Sequence, residues 1–372
     1  MSTGAGATSL CDASCMLDRR ALLLSLLTAP ALPAAHGAAP TQALRFPDDF
    51  GAHPAQRTEW WYITGMLLSG ARMFGFQVTF FRSTTGVSDK HPSRFAASEI
   101  VFGHAALTDI DGKRLRHDQR VARAGFGVAQ AQRGDTSINL RDWNLKRTDH
   151  AGGSRYLATV HSDSAGFRVD LQIDTTQPVL LQGDAGLSRK GPNPEQTSRY
   201  YSQPQLDAKG SLTLDGKALP VRGRAWLDHE WSTSFLDPQA VGWDWIGMNL
   251  DDGSALTAFR LRRADGSALY AGGSFRPLGN PTRNFTAESV TFTPGRVWES
   301  PASRARYPVQ WAIQTPAGTF TVRALLDNQE LDSRSSTGAI YWEGLSELLD
   351  STGQRAGLGY LEMTGYAAAL RI

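Results

Sequence analysis

Residues Trp60-Trp61-Tyr62-Ile63-Thr64-Gly65-Met66-Leu67-Leu68, closed by Ser69-Gly70, decide how the chain reads. Aromatic and β-branched residues lead the run, no 3.6-residue period is sustained, and a glycine turn ends it, as in a strand entering a hairpin. Slid forward by 183 residues, Trp60 falls on Trp243, Ile63 on Ile246, Leu67 on Leu250, Gly70 on Gly253 and Phe76 on Phe259 without a gap. A second match, offset by 153, lays Phe167-Arg168-Val169 on Phe320-Thr321-Val322 and Asp174 on Asp327. Two matches in the same order point to a duplicated β unit.

The rest of the chain follows the same pattern of short apolar segments punctuated by Gly, Pro, Asp and Asn, so the expected class is all-β. Strand candidates in the first half are Trp60 to Leu68, Met73 to Arg82, Ile100 to Thr108, Tyr156 to Ser162, Gly166 to Ile173, Ser211 to Leu214 and Val221 to Trp226. The second half offers Trp245 to Leu250, Ala255 to Arg262, Val309 to Thr315, Thr319 to Leu325 and Gly359 to Tyr366. Turn chemistry separates them at Asp109-Ile110-Asp111-Gly112, Asp215-Gly216, Asp251-Asp252-Gly253 and Asp265-Gly266. The boundary between the two related units is expected between Val221 and Gly242, and a pocket is expected at that seam. Leu187 to Ser202 reads as a long irregular connection, either a lid or a plain linker.

At 372 residues the chain exceeds what a single hydrophobic core usually serves. Its 38 basic and 36 acidic residues nearly balance, and no Lys/Arg run occurs, which argues against nucleic acid and against an anionic membrane surface. Arg19-Arg20 before the apolar run Ala21 to Leu32, followed by small residues, has the layout of a secretory signal peptide over residues 1–39. The paired arginines also permit the twin-arginine route, and Met16 offers an alternative start. The run is shorter than the roughly 20 residues a spanning helix needs. Export to the periplasm or beyond is therefore expected, and since Cys11 and Cys15 precede the cleavage region, a mature chain without a thiol.

Trp226-Leu227-Asp228-His229-Glu230-Trp231 is too acidic for an ordinary core strand and too aromatic for an ordinary loop, because buried ionised carboxylates cost several kcal/mol unless paired or protonated. In an extended chain the pleat separates Trp226, Asp228 and Glu230 from Leu227, His229 and Trp231. A neutral imidazole beside an indole in a dry cavity can handle a proton. A histidine satisfied by a backbone carbonyl at the seam is the alternative. Trp60 with Tyr62, and Trp243 with Trp245, make aromatic walls suited to flat apolar ligands or passing cations, or else plug the ends of barrels. His104 alternates with apolar neighbours and reads as a core histidine or a ligand contact. The sequence contains no His-Glu-x-x-His, nucleophile elbow, P-loop or dinucleotide fingerprint, so no metal and no cofactor is expected.

With these residues in hand the chain resembles the AttH and carotenoid 1,2-hydratase superfamily, proteins of two lipocalin-like domains. The resemblance rests on Phe50-Gly51-Ala52-His53-Pro54, Thr58-Glu59-Trp60-Trp61-Tyr62, and His104 with Leu107 and Asp109. It continues through Ser188-Arg189-Lys190-Gly191-Pro192, Tyr200-Tyr201-Ser202, Trp226 to Trp231, Trp243-Asp244-Trp245 and Gly359 to Tyr366. It implies two tandem lipocalin-like antiparallel β-barrel or half-barrel domains packed together, over 40–225 and 226–372. In the hydratase branch water adds to an isolated double bond without a cofactor. That chemistry needs a protonated buried acid, aromatic faces for a carbocation and an ordered water. The His-x-Trp element of that branch maps onto His229 and Trp231, whereas its Tyr-x-Asp element has only Asn249-Leu250-Asp251 as a nearest counterpart. The AttH branch, matched better, implies a predicted secreted hydrolase or lipocalin-like protein beside an ABC-transporter permease complex that handles envelope lipids.

The expected function is therefore binding or handling of an apolar lipid or terpenoid, with Trp60, Tyr62, His104, Trp231, Trp243 and Trp245 as ligand contacts. The rival is cofactor-independent hydration or hydrolysis of that ligand, with His229 moving the proton and Asp228, Glu230 or Asp251 as acid. A structural envelope adaptor is the third reading.

Overall fold

The computed structural model describes residues 43–88, 90–233 and 236–370. The leader expected over 1–39, with Cys11, Cys15, Met16 and Arg19-Arg20, lies outside the described residues. All sheet pairings among them are antiparallel, and the helical elements are two short 3-10 turns, Asp48–Phe50 and Ala287–Ser289.

Thirteen strands form a nearly closed, barrel-like first sheet. Its spatial order is Arg114–Arg123, Glu99–Asp109, Arg72–Thr84, Thr58–Ser69, Lys217–Ser232, Thr197–Leu214, Phe167–Asp174, Gly153–Ser162, Trp143–His150, Ser137–Leu140 and Ala129–Ala131. Leu180–Leu181 and Leu187–Arg189 attach beside Thr197–Leu214. The second sheet, of ten strands, runs Arg283–Phe285, Ala268–Arg276, Ala255–Arg262, Gly242–Leu250, Arg355–Met363, Ala339–Leu349, Gly318–Ala324, Gln310–Thr315 and Thr291–Pro294, with Glu330–Ser333 beside Ala339–Leu349. In each sheet the first strand lies between its hairpin partner and the sheet's last strand: Thr58–Ser69 beside Lys217–Ser232, and Gly242–Leu250 beside Arg355–Met363. The 183-residue offset thus relates strands that hold the same place in the two sheets.

Each sheet encloses its own core. Trp61, Ile63, Leu67, Phe76, Val78 and Phe80 point into the first, and Ile246, Met248, Trp311, Trp342 and Leu361 into the second. A third cluster joins the outward faces of both sheets through Tyr62, Trp226, Trp245, Phe259, Leu345 and Tyr360. Gly247 makes this contact geometrically feasible, since a Cβ there would stand 2.4 Å from the Trp245 ring and 3.1 Å from Trp226. The Asp215-Gly216 turn behaves as read: both residues take positive φ, 48° and 80°, as a two-residue hairpin between right-twisted strands requires.

The structure departs from the sequence reading in several places. Lys217–Ser232 continues past Trp226 as one strand, so a boundary between 225 and 226 cuts through it; the chain changes sheets between Ser232 and Gly242. Leu187 to Ser202 is mostly strand, leaving only residues 190–196 irregular. The 18-residue strand Thr197–Leu214 accommodates Pro204 through a bulge between Gln203 and Leu206, with Gln205 at φ 57°, which is why only Ser211 to Leu214 looked regular. Ala339–Leu349, with Glu343-Gly344 at its centre, was not read as a strand at all.

Candidate functional site

The pleat sorts the Trp226 to Trp231 hexapeptide as expected, and cross-strand register extends the sorting over the sheet. Trp60 lies opposite Glu230 and Tyr62 opposite Asp228, while Trp61 lies opposite His229 between them. On the other flank Tyr200 pairs with Glu230, Ser202 with Asp228, and Tyr201 with His229. Side chains alternate strictly, so Asp228, Glu230, Trp60, Tyr62 and Tyr200 share one face and His229, Trp61 and Tyr201 the other. The face that opens onto a cavity is the carboxyl one.

This cavity, of about 330 Å³, lies between the outward faces of the two sheets. Trp60, Tyr62, His104, Trp243 and Trp245 line it, as the sequence suggested, together with Phe81, Phe102, Phe259 and Leu261. Asp228 and Glu230 enter from the first sheet, and Glu343 and Glu362, directly opposite each other on neighbouring strands, from the second. Asp228 and Glu362 hold equivalent places in the two halves. Asp228 faces Tyr62 and Glu362 faces Trp245, and the 183-residue offset lays Tyr62 on Trp245.

These four carboxyls are not alike. Glu230 accepts a hydrogen bond from Ser198 and pairs with Lys190 Nζ at 2.8 Å; Lys190 in turn lies 4.6 Å from the ring centroids of Tyr200 and Phe259. Asp228 accepts neutral donors, from Ser202 Oγ at 2.5 Å, Trp226 Nε1 at 2.7 Å and Tyr200 Oη at 2.8 Å. Burial outweighs these bonds and pushes its pKa up to about 7. Burial likewise raises Glu362 to about 7, reinforced by the negative charges of Asp228 and Glu230. Glu343 lies well above the usual carboxylate range, through burial first and Glu362 second. Its Oε2 accepts from Gln77 Nε2 at 2.8 Å, and Tyr62 Oη stands beside it as a neighbouring hydroxyl donor. Among the described residues none of Asp228, Glu343 and Glu362 has a salt bridge.

The opposite face corrects the expectation for His229 and Trp231. Neither lines the cavity: His229 is fully buried inside the first sheet, stacked on Trp61 at 4.5 Å. Its Nε2 donates to Glu59 Oε1 at 2.9 Å, and its Nδ1 accepts from Tyr201 Oη at 3.0 Å. Glu59 also takes His53 Nδ1 at 2.7 Å and Arg82 Nε at 2.9 Å, and His53 bonds Asp49 at 3.0 Å while stacking on Trp231 at 3.7 Å. Burial drives His229 down to about 4, so it stays neutral. Burial opposes ionisation of Glu59 too, but hydrogen bonds from His229 and His53 prevail and hold it at about 2. His53, Glu59 and His229 place ligand atoms within 4.8 Å of one another, a set that could hold a divalent cation. The Arg82 guanidinium on the same carboxylate disfavours one, and the hydrogen bonds make the group a lock tying the 48–53 segment to the barrel.

Asp251 also leaves the site. It stands in the turn after Gly242–Leu250, half exposed, 3.5 Å from Arg355 beside a separate cleft of about 260 Å³. Asp251→Ala is therefore expected to change stability by no more than about 0.5 kcal/mol and ligand retention not at all, checked by thermal melting and co-purification. His104 lines the cavity but is engaged at both nitrogens, by Tyr341 Oη at 2.8 Å and Ser336 Oγ at 2.9 Å, and burial drives it down to about 3. It is a neutral wall residue. Glu343 and Glu362 were missed, although each is an acid flanked by apolar and aromatic residues, Tyr341-Trp342-Glu343-Gly344-Leu345 and Tyr360-Leu361-Glu362-Met363. The same argument that singled out the hexapeptide would have found them.

Two antiparallel sheets of matching topology, packed by their outward faces around an aromatic-lined cavity, define a tandem lipocalin-like protein. The chain belongs to the AttH-like family, which matches residues 37–366. A crystal structure of an AttH-type protein from Nitrosomonas europaea is 44% identical, covering 88% of this chain and 98% of its own, with a TM-score of 0.81. Kievitone hydratase from Nectria haematococca shares the fold at 16% identity, covering 90% of this chain and 95% of its own, with a TM-score of 0.67. No curated protein matches the chain.

Proposed function

We propose that the protein is a cofactor-independent acid–base enzyme of hydratase type, acting on an uncharged apolar substrate such as a terpenoid alkene held between the two sheets. One observation carries this reading: Asp228 and Glu343, buried, and Glu362, partly buried, face an aromatic cavity, and among the described residues none of them has a salt-bridge partner. Such carboxyls keep a proton to near neutral pH, so the acid form that must deliver a proton to an alkene carbon is present at working pH. Transfer of that proton to the less substituted carbon leaves a tertiary cation, for which the faces of Trp60, Tyr62 and Trp245 offer stabilisation. Water then adds to the cation, and its surplus proton returns to the carboxylate, so the enzyme ends as it began. The kinship with a hydratase contributes the fold alone; the carboxyls carry the chemistry.

A protein that only holds a neutral apolar ligand would gain nothing from these acids, since such a ligand is held as well by hydrocarbon and each buried carboxyl has a desolvation cost. The test is incubation of the purified protein with acyclic terpenoid alkenes in H₂¹⁸O. The reading expects product heavier by one labelled water. Recovery of unchanged alkene, bound but unreacted across the series, would leave the cavity a carrier site.

A further inference from the structure

The cavity combines two features that a hydrocarbon alone does not need. Among the described residues that line it, acids outnumber available cations. Glu230 is matched by Lys190, and Arg82, at the wall, is engaged by Glu59 at 2.9 Å and Glu99 at 3.0 Å, while Arg57 is exposed. Among the described residues Asp228, Glu343 and Glu362 have no such counter-charge, and the remaining titratable neighbours, His104, Tyr62, Tyr200 and Tyr341, are neutral. Secondly, Glu343 and Tyr62 Oη stand beside each other at this wall, and Gln77 Oε1 is buried there without a hydrogen-bond partner among the described residues. Around them stand the ring faces of Trp60, Trp243, Trp245 and Phe259. Aromatic faces beside carboxyl groups are the physical recipe for recognising an organic cation.

We infer that this cavity binds apolar organic ammonium ions, and binds them in preference to neutral molecules of the same shape. The inference deepens the proposed function, since an ammonium of this kind resembles in charge and shape the tertiary cation of alkene protonation. A bound cation stabilises the ionised form of Asp228, Glu343 or Glu362, so its entry releases a proton to solvent. Affinity therefore rises with pH as the carboxyls ionise.

The test compares benzyltrimethylammonium, whose charge is permanent, with neopentylbenzene, its neutral isostere, by competition against a fluorescent apolar probe at pH 8 and pH 5.5. At pH 8 the cation is expected to bind at least about tenfold more tightly than the hydrocarbon. Its calorimetric heat should depend on the buffer's ionisation enthalpy, as proton release requires. The preference should shrink at pH 5.5 and in the Glu343→Gln/Glu362→Gln variant, whose isosteric amides keep the shape. Equal affinity at pH 8, or a preference unchanged in that folded variant, overturns the inference; should the double variant not fold, the pH comparison on the native protein decides alone. Cation preference without turnover would defeat the hydratase reading and leave this inference standing, and turnover without cation preference would do the reverse.

Discussion

Asp228→Asn and Glu362→Gln are each expected to lower turnover of an apolar alkene by about 10²- to 10⁴-fold, the usual contribution of a positioned general acid. Ligand retention and melting temperature should hold or rise, because a neutral amide replaces a group whose burial is unfavourable. The pH profile should carry the same signature. Asp228 and Glu362 have pKa values raised to about 7, so the acid form predominates below that and is lost above it. Activity is expected on the acidic side and should decline as pH rises through about 7. In linkage terms the raised values mean that these carboxyls contribute stability at low pH that is lost as pH climbs toward about 7. Initial rates between pH 5 and 9, for the native protein and both variants, check all of this.

The second large effect concerns the other face of the same strand. Glu59 sits fully buried under Arg82, His229 and His53, so Glu59→Ala strands a buried guanidinium and is expected to cost about 3–5 kcal/mol. Thermal or denaturant melting would read this directly. Glu59→Gln, which keeps the shape, should cost less. The lowered Glu59 value implies stability that is fully present above the ordinary carboxylate range and lost as pH falls toward about 2. His229, lowered to about 4, adds to the same trend: below about 6.5 the unfolded chain takes up a proton that the folded one refuses, so stability falls from there down to about 4. Acid sensitivity should therefore be shared by both, and His229→Gln should reduce it. Because His229 lies away from the cavity, His229→Gln is expected to lower stability more than it lowers the rate per folded molecule.

Much of this molecule is legible in its sequence. The all-β class, the hairpin turns and the pairing of Trp60 with Tyr62 and Trp243 with Trp245 follow from period-two patterning and turn chemistry. The split of Trp226 to Trp231 into two faces follows from the pleat alone. Which of those faces meets a ligand does not, because it depends on which side of the strand the barrel closes over. Leu227 and Trp231 carried the relevant hint: apolar companions mark the side that enters a core, and His229 went with them. The partner acids were hidden differently. Glu343 lies in a strand whose glycine and paired glutamates weaken the β pattern, and its facing Glu362 becomes informative only once register sets the two side by side. Asp251 looked like a candidate through a sequence order that the fold does not honour, since the turn carries it to the far side of the seam.

The account rests on cavity carboxyls that retain their protons near neutrality, and infrared difference titration reads that state through the C=O stretch of a protonated carboxylic acid. The native protein should show this band at pH 6, losing the Asp228 and Glu362 contributions as pH passes about 7, and Asp228→Asn or Glu362→Gln should each remove part of it. A spectrum with no protonated carboxyl above pH 5, or a band untouched by either substitution, would contradict the account.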